Sequence, residues 1–284
     1  MTDNPGVFEE VTLREARFRS AELPGAQFER VDLSGAVLRN VDLSDAVLHS
    51  VDLGRALLRA VNLHGAELRG VELTDVRITG EVQNVTINGV DVAPLVEAEL
   101  DRRDPDRVKM RPADPAGFRE AWDLLERRWD ETVERARALP PELLHESVNG
   151  EWSFIETLRH LAFATDSWVR RAILGDPSPW HPLDLPWDEM PDMPGVPRDR
   201  AARPSLDEAL ALRKDRMATV RRYVDHLTDD QLAGNTTPVT GASGWPHPIS
   251  YPIHDCLSIV LNEEYQHRQY AERDLTALEK LHTP

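Results

Sequence analysis

The chain has one cysteine among its 284 residues, Cys256, so an internal disulfide framework is excluded. It has no apolar run approaching the ~20 residues that a membrane-spanning helix needs. It also lacks an excess of basic side chains. The formal net charge is −17, whereas nucleic acids and anionic membrane surfaces are held by clustered Lys and Arg. The first five residues, Met1-Thr2-Asp3-Asn4-Pro5, have neither the basic start nor the apolar stretch of a signal peptide. Together these absences lead to the expectation of a cytoplasmic protein with no nucleic-acid and no membrane partner. The length suffices for two modest domains, each able to bury a core.

What the chain does have, first, is a five-residue repeat. Apolar residues recur at every fifth position from Phe8 through Phe18, Phe28, Leu38, Leu48, Leu58 and Leu68 to Ile78, with the intervening slots also filled by Leu. Two residues before each stands a smaller partner, as in Ala36-Val37-Leu38 and Val41-Asp42-Leu43. A period of five fits neither the helix nor the simple strand. A short fixed period signals a solenoid, in which each unit buries its apolar face only by stacking on its neighbours. Pro24 and Gly25 fall at outward or corner positions. After Ile78 the register fails. Val82, Val85, Ile87, Val90 and Val92 suggest an irregular strand cap with a turn at Asn88-Gly89, which would protect an open end. Residues 93–100 read as a short helix and the charge run from Asp101 to Arg111 as a solvated linker.

The run Ala36-Val37-Leu38-Arg39-Asn40-Val41-Asp42-Leu43-Ser44-Asp45 closely resembles the pentapeptide-repeat family. The resemblance implies a right-handed quadrilateral β-helix, four units per coil, with the large and small apolar residues both inside. The expected domain is 1–92, cap included, followed by a linker at 93–112. Some members of that family are acidic mimics of duplex DNA that bind topoisomerase. Here 17 acidic and 9 basic side chains are interspersed over residues 1–100, which fits a scaffold or interaction module better. A homodimer or a protein partner through this domain is the corresponding expectation.

Residues 113–278 carry helix signals. Asp114-Pro115 opens a segment through Phe118, Trp122, Leu125 and Trp129 that stops at Pro140-Pro141. Ser153 with Glu156, and Ser205 with Glu208, have the spacing of capping boxes. A last segment opens near Pro252 and runs to about Leu278. Four amphipathic segments joined by loops predict a four-helix bundle. Two connections, 176–204 and 234–251, are long and rich in Pro and Trp, as in loops packed across a pocket mouth.

Within the bundle, Glu263 and His267 stand at i and i+4 on one helix face, and His160 sits among Leu158, Leu161 and Phe163 on another helix. Facing helices can bring such groups together as a three-ligand site with open positions, suited to a divalent metal such as Zn, Fe or Ni. A satisfied core histidine and a surface Glu–His contact account for the same residue types. Glu264 points about 100° away from Glu263. Glu156 is explained by its capping role, and Cys256 reads as a small core residue.

The stretches Glu151-Trp152-Ser153-Phe154-Ile155-Glu156-Thr157-Leu158-Arg159-His160-Leu161 and Asn262-Glu263-Glu264-Tyr265-Gln266-His267-Arg268 resemble the second-helix and last-helix motifs of the DinB-like metalloproteins. One His followed by Glu-x-x-x-His is similar to their mycothiol-dependent maleylpyruvate isomerase branch. The resemblance implies His160, Glu263 and His267 as metal ligands, zinc as the metal, and a low-molecular-weight thiol as cosubstrate for isomerisation or S-transfer to an electrophilic substrate. His181, Trp187 and Trp245 in the long loops, and Arg268 after the ligand motif, are the candidate substrate contacts. The expectation is a metal-dependent thiol transferase or isomerase with the repeat as scaffold. The alternative is a non-catalytic stress or interaction protein with a structural metal and a partner-binding repeat.

Overall fold

The computed structural model describes residues 6–80, 82–188 and 190–282. The first five residues, which entered the signal-peptide reading, lie outside them. The chain divides into two compact units, residues 1–85 and 86–284.

In the first unit, strands β1 (Val7–Glu9), β3 (Gln27–Glu29), β5 (Val47–His49) and β7 (Glu67–Arg69) form one parallel sheet. Strands β2 (Arg17–Glu22), β4 (Val37–Asp42) and β6 (Leu57–Asn62) form a second. The register advances by four five-residue units per coil: Phe8 lies opposite Phe28, Phe28 opposite Leu48, and Leu48 opposite Leu68. The result is a four-sided β-solenoid of about 3 turns. The alternation of small and large residues fills its interior. Ala36 and Ala46 are completely buried, as are, within a few per cent, Leu38, Val41 and Leu43. Each buried Leu or Val of this kind contributes about 1.5–3 kcal/mol. In the last coil the same slots are open, and Leu58, Leu63, Leu68 and Leu73 are substantially exposed.

The corners follow from sequence. In Leu23-Pro24-Gly25-Ala26 the Ala26 N–H donates to the Leu23 carbonyl at 3.1 Å with Gly25 at φ 67°. This is a type II turn with Pro and Gly at their favoured places. The recurring Asp of the Val-Asp-Leu-Ser pattern closes its own corner: Asp32 accepts from the Ser34 main chain and hydroxyl at 3.0 and 2.6 Å, and Asp42 from Ser44 at 2.9 and 2.5 Å. Such Asx turns explain why Asp or Asn occupies that slot.

The Asn88-Gly89 turn forms as expected, joining β8 (Thr86–Ile87) to β9 (Val90–Asp91). This hairpin groups with the second unit rather than with the coils. The expected linker at 93–112 is folded. It comprises α1 (Ala93–Arg103) and a 3-10 turn (Pro105–Met110). The charge run pairs rather than solvates: Arg107 binds Glu97 and Asp101 at 2.7 and 2.6 Å, and Arg128 reaches back to Asp104 and Asp106 at 2.9 and 2.7 Å.

The bundle is built from α2 (Pro115–Arg137), α3 (Phe154–Thr165), α4 (Leu206–Asp225) and α6 (Ile253–His282), with a short α5 (Asp229–Leu232) between the last two. Both expected capping boxes are present, at Ser153/Glu156 and Ser205/Glu208, and a third at Thr228/Gln231 precedes α5. Past Thr165, α3 does not run straight to its end. It widens into a π-helical stretch, Asp166–Ile173, before Gly175 stops it at φ 75°.

Two apolar layers fill the bundle. One contains Phe118, Trp122, Leu125, Val169, Val220 and Leu261; the other contains Trp129, Leu144, Leu158, Ala209, Leu275 and Leu278. Along α6 the first layer runs to Tyr265 and the second begins at Ala271, with His267 between them. No helix among the described residues is long and apolar enough to cross a membrane.

Candidate metal centre

α3 is buried on nearly every side, so His160 has only 6% of its surface exposed. The capping box at its start fixes the helix's entry, and Trp152, one residue before the cap, lays its indole 4.4 Å from the His160 ring. On α6, Glu263 and His267 share a face as their spacing requires. One donor atom from each of His160, Glu263 and His267 lies within 4.8 Å of the others, and this is the group of three suitable ligands found among the described residues.

The hydrogen bonding decides what these atoms offer. His160 Nδ1 lies 2.9 Å from the Leu185 carbonyl, which accepts its proton and leaves Nε2 with a lone pair. His267 Nδ1 lies 3.0 Å from the Glu263 main-chain carbonyl, which likewise accepts. With both ring protons committed to the backbone, His160 Nε2 stands 3.3 Å from Glu263 Oε2. His267 Nδ1 is also 3.3 Å from the same oxygen, so Oε2 lies close to both imidazoles, an arrangement that a cation can bridge. Two imidazoles and a carboxylate suit Zn or a similar divalent ion and leave coordination positions open.

Burial opposes ionisation of Glu263, but when no cation is bound a protonated His160 Nε2 can donate to Oε2, and that hydrogen bond, followed by the charges of His160 and His267, outweighs burial and holds the carboxyl below its ordinary range. Burial, then the neighbouring His160, bring His267 down to about 4, so its imidazole is neutral near pH 7. Neutral imidazole is the ligating form.

The neighbouring Glu264 turns the other way, as its 100° offset requires. It is fully buried in a two-pronged pair with Arg213, at 2.9 and 2.6 Å. Arg213 in turn lies over the Trp129 ring at 4.2 Å. This pair crosses the bundle between α4 and α6 and holds the ligand helix in rotation.

The other expected contacts divide. Trp187 and Trp245 belong to a chain of rings that begins at the site: His160 to Phe163 at 6.2 Å, Phe163 to Trp187 at 6.3 Å, Trp187 to Trp245 at 5.0 Å, and Trp245 to His247 at 5.0 Å. His181 and Arg268 are engaged elsewhere. His181 Nδ1 accepts from the Leu183 N–H at 3.1 Å, inside its own loop. Arg268 donates to the Arg128 carbonyl of α2 at 2.9 Å. Neither belongs to the ligand group, because loop closure and helix packing use their polar atoms first. Cys256 is fully buried, and burial, then Asp255, push its thiol up to about 12, so it is an inert core residue.

The loop 176–204 is strapped down. Arg159, Arg171 and Arg198 donate to its carbonyls at Leu183 (2.7 Å), Pro177 (2.6 Å) and Trp187 (3.2 Å), and Trp152 Nε1 donates to Asp188 at 3.2 Å. A second buried cluster anchors its middle. Asp184 and Asp166 are both fully buried, and Arg216 binds Asp166 at 2.7 Å. Asp184 Oδ2 accepts from the His181 N–H at 2.8 Å, while its Oδ1 has no donor. Burial, then the charge of Asp166, raise the Asp184 carboxyl to about 8. Three further groups lie at the site or brace its loop: Trp152, Arg159 and the Leu185 carbonyl. Of these only Trp152 and Arg159 left a trace in sequence, one preceding a helix cap and the other a charge inside an apolar helix.

Comparison with known proteins separates the same two parts. Residues 124–271 match the DinB superfamily, and residues 12–49 and 42–80 match pentapeptide repeats, in eight copies. Among solved structures, a pentapeptide repeat protein (Rfr23) from the cyanobacterium Cyanothece 51142 is 27% identical over 23% of this chain and 45% of that one, with a TM-score of 0.22. The chain therefore spans less than half the length of that structure. No curated protein matches the chain.

Proposed function

The chain belongs to the DinB superfamily, which includes metal-dependent enzymes, and from that premise we propose that its helical unit is a zinc-type metalloenzyme that uses a small thiol, of the mycothiol kind, against an electrophilic substrate. The observation that carries the reading is the convergence of His160, Glu263 and His267 with both ring protons committed to backbone carbonyls. A divalent cation held there would lower the cost of ionising a thiol, the form that attacks carbon.

The chain's own residues supply the rest. Two neutral imidazoles and one carboxylate carry a single negative charge, so the loaded site keeps a net positive charge for an anionic sulfur. Trp152 covers one side of the site and limits water. Cys256 is buried and protonated, so the reacting thiol comes from outside the chain. Trp187 and Trp245 offer apolar ring faces to the substrate. In an S-transfer, sulfur bonds to the electrophilic carbon as the leaving group departs with its electron pair and takes up a proton. In an isomerisation the thiol adds, a bond rotates, and the thiol is expelled unchanged. The repeat unit serves as scaffold and as the surface for a second copy or a protein partner.

The test is elemental analysis of the full chain purified without added metal, followed by thiol consumption with a panel of electrophiles. Near-stoichiometric divalent metal is expected, lost with the turnover in His160→Ala and in His267→Ala. A wild-type protein that takes up no divalent metal overturns the proposal. Metal without turnover favours a structural metal in an interaction protein.

A further inference from the structure

We propose that Arg159 is a positioning residue for the candidate metal centre: through loop residues Leu183–Leu185 it holds the carbonyl that fixes the proton on His160 Nδ1 and so aims Nε2 at Glu263 and His267. The purpose of this arrangement rests on the metal reading above; its geometry does not.

Arg159 precedes His160 on α3, so its side chain leaves the helix about 100° away from the imidazole. It reaches the loop instead of the site. The residue is fully buried. Its Nε donates to the Leu183 carbonyl at 2.7 Å, Nη2 to the Asp199 carbonyl at 2.6 Å, and Nη1 to the Ala202 carbonyl at 3.4 Å. Its own carbonyl accepts from the Leu185 N–H at 3.4 Å. No carboxylate forms an ion pair with it among the described residues. Glu156, Asp199 and Asp184 act on its charge only from beyond ion-pair distance, and burial outweighs them, so the cation costs stability that a neutral side chain would not incur and packing by itself is a poor reason for its presence.

The arrangement fixes one atom. The Leu183 carbonyl is gripped by Arg159, and two residues on the Leu185 carbonyl accepts the His160 Nδ1–H at 2.9 Å. The upstream end of the same turn is closed by the His181 N–H donating to Asp184 Oδ2 at 2.8 Å and the Asp184 N–H donating to the His181 carbonyl at 2.9 Å. Held at both ends, the Leu185 carbonyl has little freedom. With that acceptor in place the ring proton stays on Nδ1 and Nε2 keeps its lone pair toward the site. Were it to withdraw, the proton could move to Nε2 and the ligand would be lost.

Arg171 provides a matched control. It is as deeply buried and also binds only carbonyls, but they are those of Pro177 and Ala242, at 2.6 and 2.7 Å, outside the 183–185 segment. The experiment uses full-length, nitrogen-15-labelled, metal-free protein and follows the His160 Nδ1–H as a slowly exchanging, downfield proton signal. Arg159→Lys and Arg159→Met should lose that signal, whereas Arg171→Lys should keep it even where its melting temperature falls as far. Cobalt(II) affinity should drop about 10–100-fold in the Arg159 variants, the usual effect of removing support behind a ligating His, and stay near wild type in Arg171→Lys. A slowly exchanging Nδ1–H in either folded Arg159 variant overturns the proposal, as does equal loss in Arg171→Lys. A wild type that binds no cobalt would bring down the metal reading, while the Nδ1–H comparison would still decide this one.

Discussion

In the repeat unit the corner side chains close their own turns: Asp32 with Ser34, Asp42 with Ser44, Asp52 with Gly54 and Asn62 with His64, each two residues on. In the helical unit the important answers come from far along the chain. Arg213 and Glu264 stand 51 residues apart, Arg216 and Asp166 50, and His160 and Glu263 103. The first arrangement repeats a corner and gathers no reactive groups. The second forces charged and titratable atoms together inside a low-dielectric core, where each pairing counts for more than it would in water. Local closure builds a scaffold; distant closure builds a site.

Three perturbations sharpen this contrast. The largest effect is expected from Arg213→Met, which strands Glu264 as a buried unpaired charge and should cost the helical unit about 3–5 kcal/mol. Adding Glu264→Leu should recover much of that loss in chemical denaturation, since both charges are then gone. If the single and double variants unfold alike, the pair is not what holds α6 against α4.

Next, Leu38→Ala should destabilise the solenoid by about 2–4 kcal/mol through loss of buried surface and the cavity left behind. Followed by calorimetry, the loss should appear in one transition only, with that of the helical unit unmoved. A shift of both would mean that the two units unfold together.

The smallest effect concerns Asp184. Its folded-state carboxyl is raised to about 8 from an ordinary 3.8, so the folded protein binds the extra proton between those values. The stability it allows is therefore complete below the unfolded value, and it falls as pH climbs toward the folded one. Melting of the helical unit should decline from pH 6 to pH 7, by at most about 1.4 kcal/mol for one proton. Asp184→Asn should flatten that slope. An unchanged slope would show that the carboxyl is ionised in the fold.

The same contrast explains what the sequence disclosed. Phe8, Phe28, Leu48 and Leu68 announce their stacking because a coil is a sum of identical local steps. Ser153 and Ser205 announce helix starts because a cap needs only its own next three residues. His160, Glu263 and His267 were legible because helical spacing and a family motif both mark them. The π-helical turn after Thr165, the Leu185 carbonyl on His160 and the loop-bound state of His181 left no such mark. Each depends on how a proline-rich loop settles against a finished bundle, and no local pattern encodes that. The contact of Arg268 Nε with the Arg128 carbonyl of α2 at 2.9 Å left no mark either, because it depends on how two distant helices pack.

The constant step between stacked strands has a consequence for length. Because every side of the solenoid is one five-residue unit, inserting four units would add a coil and lengthen the stack by about 4.8 Å, the spacing of neighbouring strands, with every inward Leu still inward. Inserting a single unit would instead turn the departing chain by a quarter revolution. The stack can therefore be lengthened by whole coils and the exit of its chain redirected by single sides, and neither change needs a new core.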